Sequence, residues 1–242
     1  IVMDVNTGAI LALCMKPDYD PNSPPRDDIQ TLTELMRISA VSDAYEPGST
    51  FKVITTAMAL EEGLVSLDEK MYCSGKFYVE GYSQPIHCHK LSGHGSVTFE
   101  RGLQQSCNPI LMTVGLRIGQ QRFYDYFQAF GYTGLTGIDL PGEAKSIYSS
   151  FSNFGPVSLA VYSFGQTFKV TPLMQLTAIS TVANGGYLMT PHVVSQIIDD
   201  DGNILMQRET DAKRQVVSTD VCKTISGVLE RGVSGDGGAK NT

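Results

Sequence analysis

The sequence predicts an α+β domain in which helices dominate, and three observations carry that prediction. Apolar residues recur at helical spacing behind a breaking signal, as in Val53, Ile54, Ala57, Met58 and Leu60 behind Pro47-Gly48, until Gly63 stops the run. Short apolar runs flank turn-forming clusters: Val193–Ile198 and Ile204–Gln207 lie either side of Asp200-Asp201-Gly202-Asn203 and read as a hairpin. At 242 residues, 42% hydrophobic and 18% charged, the chain is long enough to bury a core of its own.

Taken in order, Ile1–Met15 reads as a hairpin that turns at Asn6-Thr7-Gly8. Pro17–Pro25 is loop by composition, and Ile29–Met36 is a short helix. After the helix that starts near Ser49 comes a stretch rich in Gly, Ser, His and Tyr. We read it, over residues 64–97, as a small irregular lobe with a β-like run at Lys76–Val79. Thr98 caps a helix over Phe99–Gln105, and Pro109 should push Asn108 out of helical conformation before a helix at Ile110–Gly119. A further helix covers Gln121–Phe130, and Thr136–Gly142 is a turn-rich link. Thr171-Pro172 opens a helix that stops at Asn184-Gly185-Gly186, and Ser218 or Thr219 caps a last helix ending near Gly232. There is no repeat and no long linker, so residues 1–242 are expected to form one domain.

Bulk properties exclude several functions. A net charge of −7 with no basic stripe argues against a nucleic-acid partner. No apolar run approaches the ~18 residues that a spanning helix needs. The chain opens inside a strand-like pattern without an initiator Met, and is expected to be a piece of something longer.

Ser49 and Lys52 form the sequence's one Ser-x-x-Lys, at the start of the apolar helix. That spacing puts both side chains on one helix face. A serine hydroxyl is too weak an acid to attack unaided, and a desolvated lysine can lose its charge and serve as base. Four letters are cheap, since residue frequencies give about one chance match in a chain this long. The second element is Ser106-Cys107-Asn108, again the one Ser-x-Asn of the sequence. In an extended segment the Ser106 hydroxyl and the Asn108 amide share a side while Cys107 points the other way. The hydroxyl suits proton relay and the amide suits holding a carbonyl. Each element alone could be an ordinary polar turn; the two in this order make a joint case.

On these residues the chain resembles the transpeptidase domain of the class B penicillin-binding proteins, of sporulation or elongation type. The resemblance is carried by Glu46-Pro47-Gly48-Ser49-Thr50-Phe51-Lys52, Ser106-Cys107-Asn108-Pro109, Thr136-Gly137-Ile138-Asp139-Leu140-Pro141-Gly142-Glu143 and Ser163-Phe164-Gly165-Gln166. Val170-Thr171-Pro172, Ala183-Asn184-Gly185-Gly186 and the opening Met3–Ala12 add to it. It implies the penicillin-binding/serine β-lactamase-like fold, with a mainly helical lobe and an incomplete antiparallel sheet. It also implies a serine D,D-transpeptidase that cross-links peptidoglycan stem peptides through an acyl-enzyme on Ser49, with β-lactams as substrate mimics. Lys52 would take the hydroxyl proton, and Ser106 and Asn108 would line the opposite wall. The expected location is the extracytoplasmic face of the bacterial membrane, with an N-terminal anchor outside these residues and cell-wall synthesis proteins as partners. The resemblance implies no cofactor for catalysis. Other readings are a D,D-carboxypeptidase or β-lactamase relative, a β-lactam sensor domain, and a non-catalytic cell-wall scaffold. The family's third element, Lys-Thr-Gly or Lys-Ser-Gly, does not occur. The sequence reaches Gly237-Gly238-Ala239-Lys240-Asn241-Thr242 before the strand that would carry it, so these residues alone are expected to be catalytically impaired.

Five cysteines complete the reading. Cys14 and Cys222 fall in apolar patterns and are expected to be buried thiols. Cys73, Cys88, His94 and Cys107 together make a Cys₃His set of the kind that holds structural zinc, with His87 and His89 as substitutes for His94. Some elongation-type relatives hold zinc at matching positions, which the resemblance extends to this chain. A Cys73–Cys88 disulfide and three unconnected thiols are the alternatives.

Overall fold

The computed structural model describes residues 1–210 and 212–235; the segment Gly237–Thr242 lies outside them. The fold is α+β. The chain opens with the pair β1 (Val2–Met3) and β2 (Ile10–Ala12), then α1 (Ile29–Leu35) and α2 (Ser39–Ser42). A 3₁₀ turn at Gly48–Phe51 runs straight into α3 (Lys52–Glu61). The lobe that follows consists of β3 (Lys70–Cys73), β4 (Lys76–Phe77), β5 (Ile86–His87) and β6 (Gly95–Thr98). Next come α4 (Phe99–Gln104), α5 (Asn108–Ile118) and α6 (Gln120–Ala129). The remainder is α7 (Pro156–Tyr162), α8 (Pro172–Ala183), β7 (Tyr187–Met189), β8 (Gln196–Ile198), β9 (Ile204–Gln207), β10 (Ala212–Gln215) and α9 (Thr219–Ser234).

Among the described residues the strands form separate antiparallel pairs: β1–β2, β3–β6, β4–β5, β8–β9 and β7–β10. The β8–β9 hairpin closes with Ile198 opposite Ile204, and the Asp199 carboxylate accepts N–H bonds from Asp201 and Asn203 inside its turn. Strands are shorter than the apolar runs suggest. Ala9–Met15 yields three paired residues, and Lys76–Val79 two.

The core is aromatic and sits directly behind the start of α3. Phe51 is fully buried and packs edge-on to Phe168 at 4.9 Å and against Tyr132 at 5.3 Å. Phe127 stacks on Tyr132 at 4.8 Å and meets Phe168 edge-on at 5.2 Å. Such edge and offset geometries are the favourable ones for aromatic rings. Carboxylates tie the outer elements to this centre. Glu61 at the end of α3 accepts from both the N–H and hydroxyl of Ser218, the cap of α9. Glu143 accepts from Thr136 N–H and Oγ1, and Asp139 from Val193 and Val194, which fixes the 136–143 link.

Three sequence expectations are corrected. Cys14 is exposed, because β2 ends at Ala12 and the chain runs on as surface loop toward Pro17. Asn108 is the first residue of α5; a proline in the first turn of a helix needs no N–H partner and is tolerated there. Ser106 is not extended: its φ is +53°, in the left-handed region that non-glycine residues rarely adopt.

Candidate active site

The two elements picked from the sequence meet across one cleft. Phe51 dives into the aromatic core, so its neighbours Ser49 and Lys52 are left on the opposite side of the turn, with Ser49 exposed and Lys52 only 2% exposed. The Lys52 amine donates to Ser106 Oγ at 2.8 Å, Ser106 O at 2.7 Å and Asn108 Oδ1 at 2.7 Å. Those three acceptors match the three donors of an ammonium. Ser106 Oγ in turn donates to Ser49 Oγ at 2.9 Å. The Lys52 amine and the Ser49 hydroxyl are thus joined through a second hydroxyl, a connection that helix spacing alone did not foretell. Burial is the main cause that pushes the Lys52 amine down to about 8, against a smaller opposing pull from the Cys107 and Cys88 thiols.

The same-side placement of Ser106 and Asn108 arises by a different route from the extended one expected. Ser106 turns into the left-handed region, Cys107 is extended at φ −72° and ψ 115°, and Asn108 is helical. That sequence of conformations aims both polar groups at Lys52 and sends Cys107 into the interior. The Asn108 amide also donates to His87 O at 3.2 Å, so β5 of the small lobe buttresses this wall.

Behind the wall lies the cysteine cluster. One ligand atom each from Cys73, Cys88, His94 and Cys107 falls within 4.8 Å of the others. A tetrahedral zinc spaces thiolate and imidazole ligands by about 3.7 Å, so small rotations close the shell. The three thiols are buried and none is in a disulfide. Burial, together with the nearby His89, lowers the His94 imidazole and favours its neutral, ligating form. For Cys73, burial raises the thiol, but N–H bonds from His94 and Gly75 and contacts to Cys107 and Cys88 bring it down overall. Burial holds the Cys107 thiol far above its ordinary value. A cation would remove that penalty, and the donor set therefore fits Zn²⁺. His87 is exposed on β5, and His89 Nδ1 lies 3.8 Å from the Cys88 sulfur.

Solved structures share this architecture. Penicillin-binding protein 3 of Mycobacterium tuberculosis, complexed with aztreonam, superposes with a TM-score of 0.85 at 26% identity, over 96% of this chain and 50% of that one. Penicillin-binding protein A of the same organism, in its imipenem acyl-enzyme complex, does so with a TM-score of 0.82 at 26% identity, over 94% and 55%. The fold is therefore that of the penicillin-binding, serine β-lactamase-like class. Residues 1–242 match the family described as the penicillin-binding protein transpeptidase domain, and the chain belongs to it. It is 38% identical to stage V sporulation protein D of Bacillus subtilis, over 95% of this chain and 35% of that protein. It is 28% identical to the probable peptidoglycan D,D-transpeptidase PenA of Neisseria meningitidis, over 99% and 38%. The chain thus spans about a third of the length of these curated relatives.

Proposed function

We propose that Ser49 is the nucleophile of a D,D-transpeptidase acting on peptidoglycan stem peptides, and that β-lactams acylate it as substrate mimics. The observation that carries this reading is the hydrogen-bond path from Lys52 Nζ through Ser106 Oγ to Ser49 Oγ, within a fold whose relatives are named as transpeptidases. With Lys52 neutral the two hydroxyls turn, Ser49 donating to Ser106 and Ser106 to Lys52 Nζ, and the proton passes along that path to the amine as Ser49 Oγ bonds to the carbonyl carbon of the penultimate D-Ala. Backbone N–H groups, the one at Ser49 among them, face the oxyanion. Collapse breaks the peptide bond, and the departing D-Ala amine takes the proton back through Ser106. An amine of a neighbouring stem then attacks the Ser49 ester, forms the cross-link and restores the hydroxyl. The second N–H of Asn108 suits a substrate carbonyl. On this reading the parent protein works at the extracytoplasmic face of the membrane.

The same reading has Zn²⁺ in the Cys73, Cys88, His94 and Cys107 cluster, in a structural role. There it links β3 and the segment that follows β5 to Cys107, the residue between Ser106 and Asn108. Metal analysis of protein purified without added zinc should give about one equivalent, the content of a closed Cys₃His shell; a value near zero removes the metal.

The 242 residues contain no Lys-Thr-Gly or Lys-Ser-Gly triplet. By themselves they should acylate about 10²-fold or more slowly than a chain that includes one, the usual loss for a missing oxyanion-side group. The test of the main reading is a fluorescent penicillin applied to the full-length chain. Label that depends on Ser49 supports acyl transfer, and label that persists in Ser49→Ala, or is absent from the wild type, refutes it.

A further inference from the structure

The turn that presents Ser49 does not stand on α3 alone. It is laid along residues 163–170. Tyr45 and Val170 exchange backbone bonds at 3.0 and 2.9 Å, Gly48 N–H donates to Gly165 O at 2.8 Å, and Thr55 Oγ1 donates to Ser163 O at 2.9 Å. Gly48 and Gly165 touch backbone to backbone: a Cβ on Gly165 would lie 2.0 Å from Gly48 O. A small displacement of Gly165 is therefore passed directly to the residue before the nucleophile.

Two residues beyond Gly165 the chain does something costly. Thr167 has φ +67°, a left-handed conformation that is a true outlier for a β-branched side chain. Such strain persists where surrounding contacts enforce it, and it clusters at functional sites. The Thr167 N–H donates to Glu46 Oε1 at 3.1 Å. Glu46 lies three residues before Ser49, and both Glu46 and Thr167 are exposed, so their bond fills no core space. Charge-assisted acceptance of a backbone N–H is the stronger kind of hydrogen bond.

We propose that Glu46 is a positioning residue: its carboxylate holds Thr167 in the left-handed conformation, which keeps Gly165 against Gly48 and Ser49 Oγ on Ser106 Oγ. This inference rests on the role given to Ser49 above. The experiment is a double-mutant cycle on the full-length chain, read as the first-order acylation constant and the preceding dissociation constant for a fluorescent penicillin. Glu46→Ala should slow acylation about tenfold with unchanged dissociation constant, the effect of a misplaced nucleophile. Glu46→Gln keeps an acceptor oxygen and should stay within about twofold of wild type. Glycine takes a positive φ freely, so in a Thr167→Gly background Glu46→Ala should cost less than about twofold. The inference is overturned if Glu46→Ala acylates like wild type, if it acts on the dissociation constant instead, or if its loss is undiminished beside Thr167→Gly. Should the wild type not be acylated at all, the proposed function falls. Amide exchange at Thr167 then judges the contact alone: faster exchange in Glu46→Ala upholds it, and unchanged exchange overturns it.

Discussion

The two walls of the cleft are held in place by different physics. The Ser49–Lys52 wall leans on carbon, because Phe51 is sealed among Phe168, Tyr132 and Phe127 within the main core. The Ser106–Asn108 wall leans partly on the lobe of β3 to β6, whose strands are two to four residues long and which exposes Tyr72, Tyr78, Tyr82 and Leu91. Of that lobe's carbon side chains only Met71 and Val79 are buried, Phe77, Ile86 and Val97 are half-buried, and Cys73, Cys88 and His94 face the wall. A nucleophile needs a rigid seat, and aromatic packing supplies most of one, with the strand-like contacts to residues 163–170 beside it. A wall built on a small lobe needs a staple, as undersized hydrophobic units generally do.

That contrast can be broken at several points. The largest effect is chemical: Ser49→Ala should abolish β-lactam labelling, a loss of at least about 10³-fold, while leaving thermal unfolding unchanged within error. Next, Phe51→Ala should destabilise the whole domain by about 3–5 kcal/mol through transfer and cavity terms, seen as one lowered, still cooperative transition. Cys88→Ser or zinc chelation should act differently. Amide exchange should rise across residues 70–98, with α3 and α8 still protected, a local opening rather than a global one. If removing the cluster instead melts α3 with the lobe, the two walls are not independent. The smallest effect is a slope. An amine can serve as base only when neutral, and burial brings that of Lys52 to about 8. Acylation should therefore climb about tenfold per pH unit below that value and level off above it. A profile that is flat from pH 6 to 9, values chosen to bracket that pKa, would remove Lys52 from the base role.

What could be read in the sequence was local. Ser49 and Lys52 share a helix face because a helix repeats every 3.6 residues, and that holds whatever packs around them. The α-helices behind Thr98, Thr171 and Ser218 were marked by caps that the structure retains, each side chain accepting an N–H three residues on. Cys73, Cys88, His94 and Cys107 stand out in the sequence because they crowd one third of the chain. What escaped was set by partners distant in sequence. The Ser106 link between Lys52 and Ser49 needs a left-handed residue that no composition rule announces. Strand β10 forms because β7 offers it an edge, although Ala212–Gln215 has no strand-like apolar pattern. Helix α7 is the exception, since Gly155-Pro156 at its start is a local proline-at-N1 signal. The contact between Glu46 and Thr167 spans 121 positions and left no trace in either local pattern.

If one cleft joins Ser49, Lys52, Ser106 and Asn108 around a single reactive hydroxyl, a β-lactam should acylate one residue alone. Peptide mapping by mass spectrometry after benzylpenicillin treatment of the full-length chain tests it most directly. One penicilloyl adduct is expected, on the peptide that contains Ser49, formed more slowly in Ser106→Ala and absent in Ser49→Ala. An adduct on any other residue, or none in a folded wild-type protein, would contradict it.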